Sequence, residues 1–443
     1  MAPPLDAARA APALTLTAED AERGLVPRLQ AAESDHNGPV LRGNVPSGPD
    51  AGPCLFLVGP EAAEVATSSS VEAFSSDEGW RHVLGRGCGY AVLNTDDPLH
   101  AEQRRQWAPS LTSAMIQLHW PAIERAIDRC IEQLRAGDGF DAYPTMRLLA
   151  FRAVGTTFAA LPEAVIEPAF RAICAILDGQ DFAHESRESY VARANAARAE
   201  FGRILLDVIT TRRRNRPETA TTLLDLLLDY PSFPDNPDPD DAIRSHLSVL
   251  LIAGHDTGAT LYSRATFVLA EHPEIVDLLR RELAAAGWTD GEPLRVGELD
   301  RLPYLQRFML EAGRLYPSLL NLPRVVVKET EIGGYRLLPG TRIALAAAAT
   351  HLLERLHRDP LRFDLERYTG TDDPRSRPFR MLTFGGGSRI CMGMRFAQLE
   401  FKAIFARLVA HLVLESAVDG PVAHAGFWAA RPAAPLQIRS RAR

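Results

Sequence analysis

The run from Asp240 to Glu271 constrains the fold more than any other feature. It reads "DDAIRSHLSVLLIAGHDTGATLYSRATFVLAE", largely apolar and small, with no proline and no turn pair inside it. At 1.5 Å per residue a helix of this length spans about 48 Å, so it must cross the whole body of the molecule. The breaker ahead of it, "PSFPDNPDPDD", supplies aspartates suited to start a helix. A chain built on this segment is expected to be large and mostly helical.

The rest of the chain reads as one continuous architecture. From about Leu111 to His272, apolar residues recur at three- and four-residue spacing, as in "MIQLHWPAIERAIDRCIEQL" and "EFGRILLDVITTRRR", which predicts a series of helices. Earlier, "PVLRGN" and "CLFLVG" are turn-bounded apolar runs that read as strands, while "FSSDEGWRHVLGRGCGY" reads as loop-rich. Later, "VGELDRLPYLQRFMLEAGRLYPS" reads as one helix closed by Pro317. The following "VVVKETEIGGYRLLPGTRIALAAAATH" reads as a small antiparallel sheet with Gly333-Gly334 and Pro339-Gly340 as turns. The expected fold class is mainly α with a small β region. No repeat and no low-complexity linker divides the chain, so a partly ordered N-terminal extension over 1–35 and a single large domain over 36–443 are expected.

Composition excludes several functions. The net charge of −7 and a pI near 6.0 give no global field that attracts nucleic acid. No segment has the roughly 18 uninterrupted apolar residues of a membrane span, and the start lacks a cationic stretch leading into an apolar one. A cytoplasmic protein with no membrane anchor is the expectation. Cys54, Cys88, Cys130, Cys174 and Cys391 are odd in number, far apart and free of any C-x-x-C pair, so neither a disulfide framework nor a zinc ribbon is expected.

One cysteine stands apart. In "LTFGGGSRICMGMRFAQLE" Cys391 follows Gly385, Gly386 and Gly387 and precedes Gly393 and a helix with Ala397, Phe401, Ile404, Leu408 and Leu412 on its apolar face. Glycines let a flat ligand approach the main chain, and a sulfur near a helix N-terminus is favoured as thiolate, hence as metal ligand or nucleophile. The plainer reading is a glycine-rich turn with an incidental cysteine. A phosphate-cradling loop is excluded, because no Gly-Lys-Ser/Thr follows.

The positions Phe384, Gly387, Arg389, Cys391, Gly393 and Ala397 resemble the haem-binding signature of the cytochrome P450 family. "AGHDT" (Ala253 to Thr257), "EAGR" (Glu311 to Arg314) and "FDLERY" follow in that family's order, so the resemblance runs from about Gly38 to the C-terminus. It implies the cytochrome P450 fold over 36–443 and haem b (iron protoporphyrin IX) as cofactor. It also implies Cys391 as the iron ligand, with Phe384, Gly385, Arg389, Gly393 and Ala397 around it. Read from residues alone, Ala253 and Gly254 bare one helix face, and Thr257 can simply bond back to the carbonyl four residues earlier. The resemblance instead places Ala253 and Gly254 over the haem and makes Asp256 and Thr257 the catalytic pair delivering protons. Gly258 stands where a second threonine is frequent in relatives. Glu311, Arg314 and Arg367 resemble the family's buried structural triad. His100 and Arg104, one turn apart on a helix face, with Arg324 and Arg389, are the cations the resemblance assigns to the haem propionates.

For function, the resemblance implies a haem-thiolate monooxygenase acting in secondary metabolism. It would insert one oxygen atom from O2 into a lipophilic small molecule by hydroxylation or epoxidation, with Leu251, Leu319 and Leu320 among the pocket walls. Electrons would come from a separate ferredoxin and ferredoxin reductase docking near Arg389 and Arg395. Two readings of the same fold stay open: a peroxygenase, isomerase or dehydratase that needs no external electrons, and a non-enzymatic haem-binding sensor.

Overall fold

The apolar run that dominates the sequence is helical over Pro239–Glu271 in a computed structural model of the chain. The structure describes residues 5–6, 10–14, 28–29, 32, 38–45, 51–84, 89–135, 137, 139–178, 187–230, 233, 236–288, 295–369 and 377–443. Cys88 and most of the 1–35 extension lie outside them. The described residues group into two units. One draws on Met1–Val83, Gln306–Cys391 and Gly420–Pro435, the other on Leu84–Leu305, Met392–Asp419 and Leu436–Arg443.

In the second, helical unit the site residues are carried by α1 (Leu99–Trp107), α2 (Ala142–Phe158), α3 (Glu163–Leu177) and α4 (Pro239–Glu271). The aspartates ahead of α4 start it as expected. Asp238 accepts hydrogen bonds from the backbone N–H groups of Asp240 (3.0 Å) and Asp241 (3.4 Å), and Pro239 occupies the first helical position, where its missing N–H does no harm. α4 is buried along most of its length and packs against α2. Gly254 makes that approach possible, because a Cβ there would lie 2.9 Å from Val154 Cγ1. One turn on, a Cβ at Gly258 would lie 3.1 Å from the Tyr262 ring and 3.5 Å from Ala150. The glycine in the place of a threonine is therefore matched to its own neighbours.

The first unit holds a five-stranded sheet in the order Val40–Val45, Gly52–Leu57, Arg342–Leu345, Leu322–Val326, Phe74–Ser75. Its pairs are antiparallel except Gly52–Leu57 with Arg342–Leu345. The two early strands stand where the apolar runs placed them. The single sheet expected after Arg324 is instead divided. Ile343, Ala344 and Leu345 are fully buried and take the centre of the large sheet. The hairpin Thr330–Ile332 with Tyr335–Leu337 keeps Arg336 exposed and joins a separate small sheet with Leu5–Asp6. Its turn is Gly333-Gly334, with φ of +57° and +81°, the pair that a two-residue hairpin with both central residues at positive φ requires.

Two further expectations are corrected. The helix read as continuous to Pro317 is broken into Val296–Leu299 and α5 (Pro303–Leu315), since Pro303 cannot donate into a preceding turn and starts a new helix instead. The stretch read as loop-rich contains the helix Ser76–Leu84, where the Ser75 hydroxyl accepts the Glu78 N–H at 2.9 Å. Beyond the sheet come α6 (Ala347–His351) and, after the chain returns to the helical unit, α7 (Met394–His411).

The α2–α4 contact gives a test. Gly254→Ala gains roughly 1 kcal/mol of helix propensity, but overpacking removes roughly 1–3 kcal/mol, so urea unfolding should show a net loss. Adding Val154→Ala should cost less in that background than in the parent. Equal costs in both backgrounds would contradict the close approach.

Candidate functional site

The cysteine loop of the sheet-bearing unit is held at both ends. At its start the Leu382 N–H donates to His351 Nε2 at 2.6 Å, and His351 Nδ1 lies 3.1 Å from the Arg314 carbonyl. An N–H facing Nε2 makes that nitrogen the acceptor, so Nδ1 carries the proton and donates to Arg314 O. Thr383 Oγ1 donates to the Gly313 carbonyl at 3.0 Å. At its end the Cys391 N–H donates to the Phe384 carbonyl at 2.9 Å, closing the loop. Between them Gly385 and Gly387 adopt φ of +71° and +58°. A Cβ at Gly387 would fall 1.8 Å from the Thr67 carbonyl oxygen, a position only glycine occupies. Cys391 emerges exposed, whereas Cys54 and Cys130 are buried and Cys174 is half-buried. Burial pushes the Cys130 thiol up to about 12, which makes it an inert core residue.

Behind this loop sits a buried charge network. Arg314, fully buried, donates to both Glu311 oxygens at 2.8 Å and to the carbonyls of Pro360 (2.6 Å), His351 (3.2 Å) and Arg362 (3.2 Å). Glu311 also accepts from Arg367 Nε (3.2 Å), the Asp364 N–H (2.9 Å) and Tyr368 OH (2.9 Å). Burial alone would raise the Glu311 carboxyl; the hydrogen bonds and charge of Arg314, with the charge of Arg367, outweigh it and hold the group below its ordinary value. Tyr368, the last residue of "FDLERY", thus adds its hydroxyl to the network. His351 carried no sequence signal at all.

Arg324, in the strand Leu322–Val326, is buried with Nη1 on the Pro323 carbonyl at 2.7 Å. Arg389 is half-buried in the turn Gly387–Arg389. In this unit, then, Phe384, Gly385 and Cys391 share one closed loop, Arg389 lies within it, and Arg324 stands on the sheet.

The helical unit carries the other candidates. Thr257 Oγ1 donates back to the Ala253 carbonyl at 2.6 Å, and His255, fully buried, turns its Nδ1 to the Leu251 carbonyl. Asp256 does not turn outward to solvent. Its Oδ1 is 2.9 Å from Arg147 Nη2 and 3.4 Å from Tyr143 OH, both on α2, and its side chain is 13% exposed. Ala253 is half-buried, and Gly254 spends its missing Cβ on Val154, as described above. On α1, His100 is buried with Nδ1 3.3 Å from Asp97 Oδ1, and Arg104 lies one turn on, half-buried. Gly393 caps α7, its carbonyl accepting from the Ala397 N–H at 2.9 Å.

The cations that follow the cysteine have an acidic neighbour. Arg395 is held by both oxygens of Asp300 (2.9 and 2.5 Å), and Lys402 reaches the same carboxylate at 3.3 Å. Asp300 thus offsets only part of the positive charge of Arg395 and Lys402. Leu251 and Leu320 are buried and Leu319 is half-buried.

The cytochrome P450 family profile matches residues 50–434. The chain belongs to the cytochrome P450 family. Among curated relatives, a putative cytochrome P450 136 of Mycobacterium tuberculosis is 28% identical over 374 residues, covering 82% of this chain and 74% of that protein. Human cytochrome P450 4V2 is 31% identical over 193 residues, 44% of this chain and 37% of its own. Among solved structures, the retinoic acid bound cyanobacterial CYP120A1 superposes with a TM-score of 0.82 at 21% identity over 100% of both chains. The cytochrome P450DA heme domain does so at 0.82 and 19% identity, over 94% of this chain and 93% of that one. These likenesses establish the P450 fold. With the family come haem b as cofactor, haem-thiolate monooxygenase chemistry in general, and the need for O2, a lipophilic substrate and redox partners. Among the described residues, no helix is long and apolar enough to cross a membrane.

His351 and His357 supply a pH test in the sheet-bearing unit. Burial first, then nearby cations, hold both imidazoles down at about 3. Between that value and the ordinary 6.5 only the unfolded chain takes up the proton, so stability falls as pH drops from 6.5 toward 3. The loss is about 1.4 kcal/mol per pH unit for each histidine. Glu400 in the helical unit acts with the opposite sign, its carboxyl raised to about 8 by burial, so the useful comparison is between variants. Urea unfolding of His351→Gln should show a pH 7-to-5 loss smaller than the parent's by about 2 kcal/mol. Identical losses would contradict a neutral buried imidazole.

Proposed function

We propose that the protein is a haem-thiolate monooxygenase in which Cys391 is the iron ligand and Asp256 with Thr257 delivers protons. The observation that carries it is the closed loop presenting one exposed thiol. Among the described residues no group of three or more His, Cys, Asp or Glu side chains stands ready to hold a bare metal ion. A lone thiolate suits an iron that arrives already held by a porphyrin. Haem b, when bound, supplies the oxidative chemistry on dioxygen, and the protein supplies ligation, orientation and protons.

What this chain's residues do follows from their contacts. The loop fixes Cys391 through main-chain hydrogen bonds, so the sulfur needs no reorganisation to ligate. Phe384, Gly385, Arg389, Gly393 and Ala397 form its surroundings along the chain. His100, Arg104, Arg324 and Arg389 are proposed to pair with the propionates, with Asp97 holding the His100 ring by its Nδ1. Thr257, donating to Ala253, presents its oxygen lone pairs as an acceptor for a water or a protonated ligand. Asp256 is the adjacent acid. Ala253 lines the same stretch, while Gly254 serves helix packing.

The substrate class proposed is a mid-sized lipophilic molecule of secondary metabolism, hydroxylated or epoxidised, in the cytoplasm. A ferredoxin and its reductase are the proposed electron donors. With Asp300 offsetting part of the positive charge of Arg395 and Lys402, added salt should slow that encounter, though less than it would for cations with no acidic neighbour.

The test compares oxidants. With O2 and a complete redox chain, Thr257→Ala should consume NADPH at near the parent rate but divert it to hydrogen peroxide. Asp256→Asn should slow consumption itself, on the order of tenfold or more. With hydrogen peroxide as sole oxidant both variants should lose less, because peroxide brings its own protons. Parent-like behaviour of both under O2 would reduce the pair to helix packing and favour peroxygenase or isomerase chemistry.

A further inference from the structure

The contacts of Asp256 lead to a buried cation that the proton-delivery reading leaves without a role. Arg147 lies on α2, one turn after Tyr143, with its side chain 4% exposed. Nη1 donates to Oδ1 of Asp178, the residue that closes α3, at 2.9 Å, and Nη2 is 2.9 Å from Oδ1 of Asp256 on α4, an ion pair without hydrogen-bond alignment. Tyr143 OH donates to the same Asp256 oxygen at 3.4 Å, and the guanidinium carbon of Arg147 is 5.6 Å from the Tyr143 ring centre.

A guanidinium withdrawn from water must be paired or its burial is strongly unfavourable. Burial alone would discourage the charge on Arg147, but its acidic neighbours, Asp256 first, outweigh it and keep the guanidinium charged. The two carboxylates differ in what else they have. Asp178 is 49% exposed and keeps water as a partner; Asp256, at 13%, faces α2. Turning the Asp256 carboxylate away would therefore leave a buried cation half-paired, whereas Asp178 can exchange its contact for solvent.

We propose that Arg147 is the positioning residue of Asp256, fixing the orientation of that carboxylate between α2 and α4, with Asp178 drawing on the same cation and limiting the grip. Arg147 touches no reacting atom and acts only through Asp256. The inference rests on Asp256 being the proton-delivery acid.

The test uses the haem-loaded protein with Arg147→Gln, Arg147→Lys, Asp256→Asn and the Arg147→Gln/Asp256→Asn double variant. Urea unfolding reads the pairing without any turnover. Arg147→Gln should destabilise the parent more than it destabilises Asp256→Asn, a non-additivity that distant sites do not show. In turnover with O2, Arg147→Gln should fall on the order of tenfold with a larger solvent isotope effect, while peroxide-driven turnover stays within about twofold. Adding Asp256→Asn should lower turnover no further, and Arg147→Lys should restore part of it. Additive stabilities with an unchanged isotope effect would overturn the proposal. If Asp256→Asn alone leaves O2 turnover at the parent level, the failure lies in the role given to Asp256. If Asp256→Asn slows turnover and Arg147→Gln does not, it lies in the role given to Arg147.

Discussion

The buried Arg314 guanidinium is the constraint on which the sheet-bearing unit depends. Arginine has five N–H donors, and here five hydrogen bonds engage them: two to Glu311 and one each to the carbonyls of His351, Pro360 and Arg362. A buried charge tolerates no missing partner, and removing one typically costs 3–5 kcal/mol. The network therefore fixes α5, α6 and the irregular segment around Pro360 against one another, with little freedom to drift. Through the Arg314 carbonyl and His351 the same network reaches the Leu382 N–H, and with it the first residue of the cysteine loop. The start of the cysteine loop is thus tied to a buried ion pair.

The helical unit is organised by a second economy of space. α4 is buried on nearly all sides, so every polar group it carries has to be answered locally. His255 and Thr257 answer with carbonyls of the preceding turn, and Asp256 with Arg147 and Tyr143 of α2. Gly254 in α4 lets α2 come close enough for that. The packing of α2 on α4 and the placing of the Asp256 carboxylate are in this way tied together in a single helix pair.

Much of this was legible in residues. Period and breaker composition gave α4 with its start, and the Gly333-Gly334 pair gave a real hairpin. The signature around Cys391 points to the family from the residues alone. The rest was hidden for physical reasons. Pro303 splits a helix whose apolar spacing continues across it, and Ser75 starts one inside a polar stretch. Burial and ion pairing are not properties of a spacing: Glu311 and Arg314 look the same on a solvated face. Nothing in the sequence says that Asp256 faces Arg147, that Asp300 pairs with Arg395 and Lys402, or that His351 is neutral and bridging, since each is a contact between distant segments.

The central claim is that Cys391 is the thiolate that ligates the haem iron. The most direct measurement is the absorption spectrum of the reduced protein with carbon monoxide, for the parent and for Cys391→Ala, with haem content determined in parallel. The account predicts the long-wavelength band of thiolate ligation in the parent and its loss in the variant, while Cys174→Ala keeps it. A parent without that band, or a Cys391→Ala variant that retains it, would contradict the account.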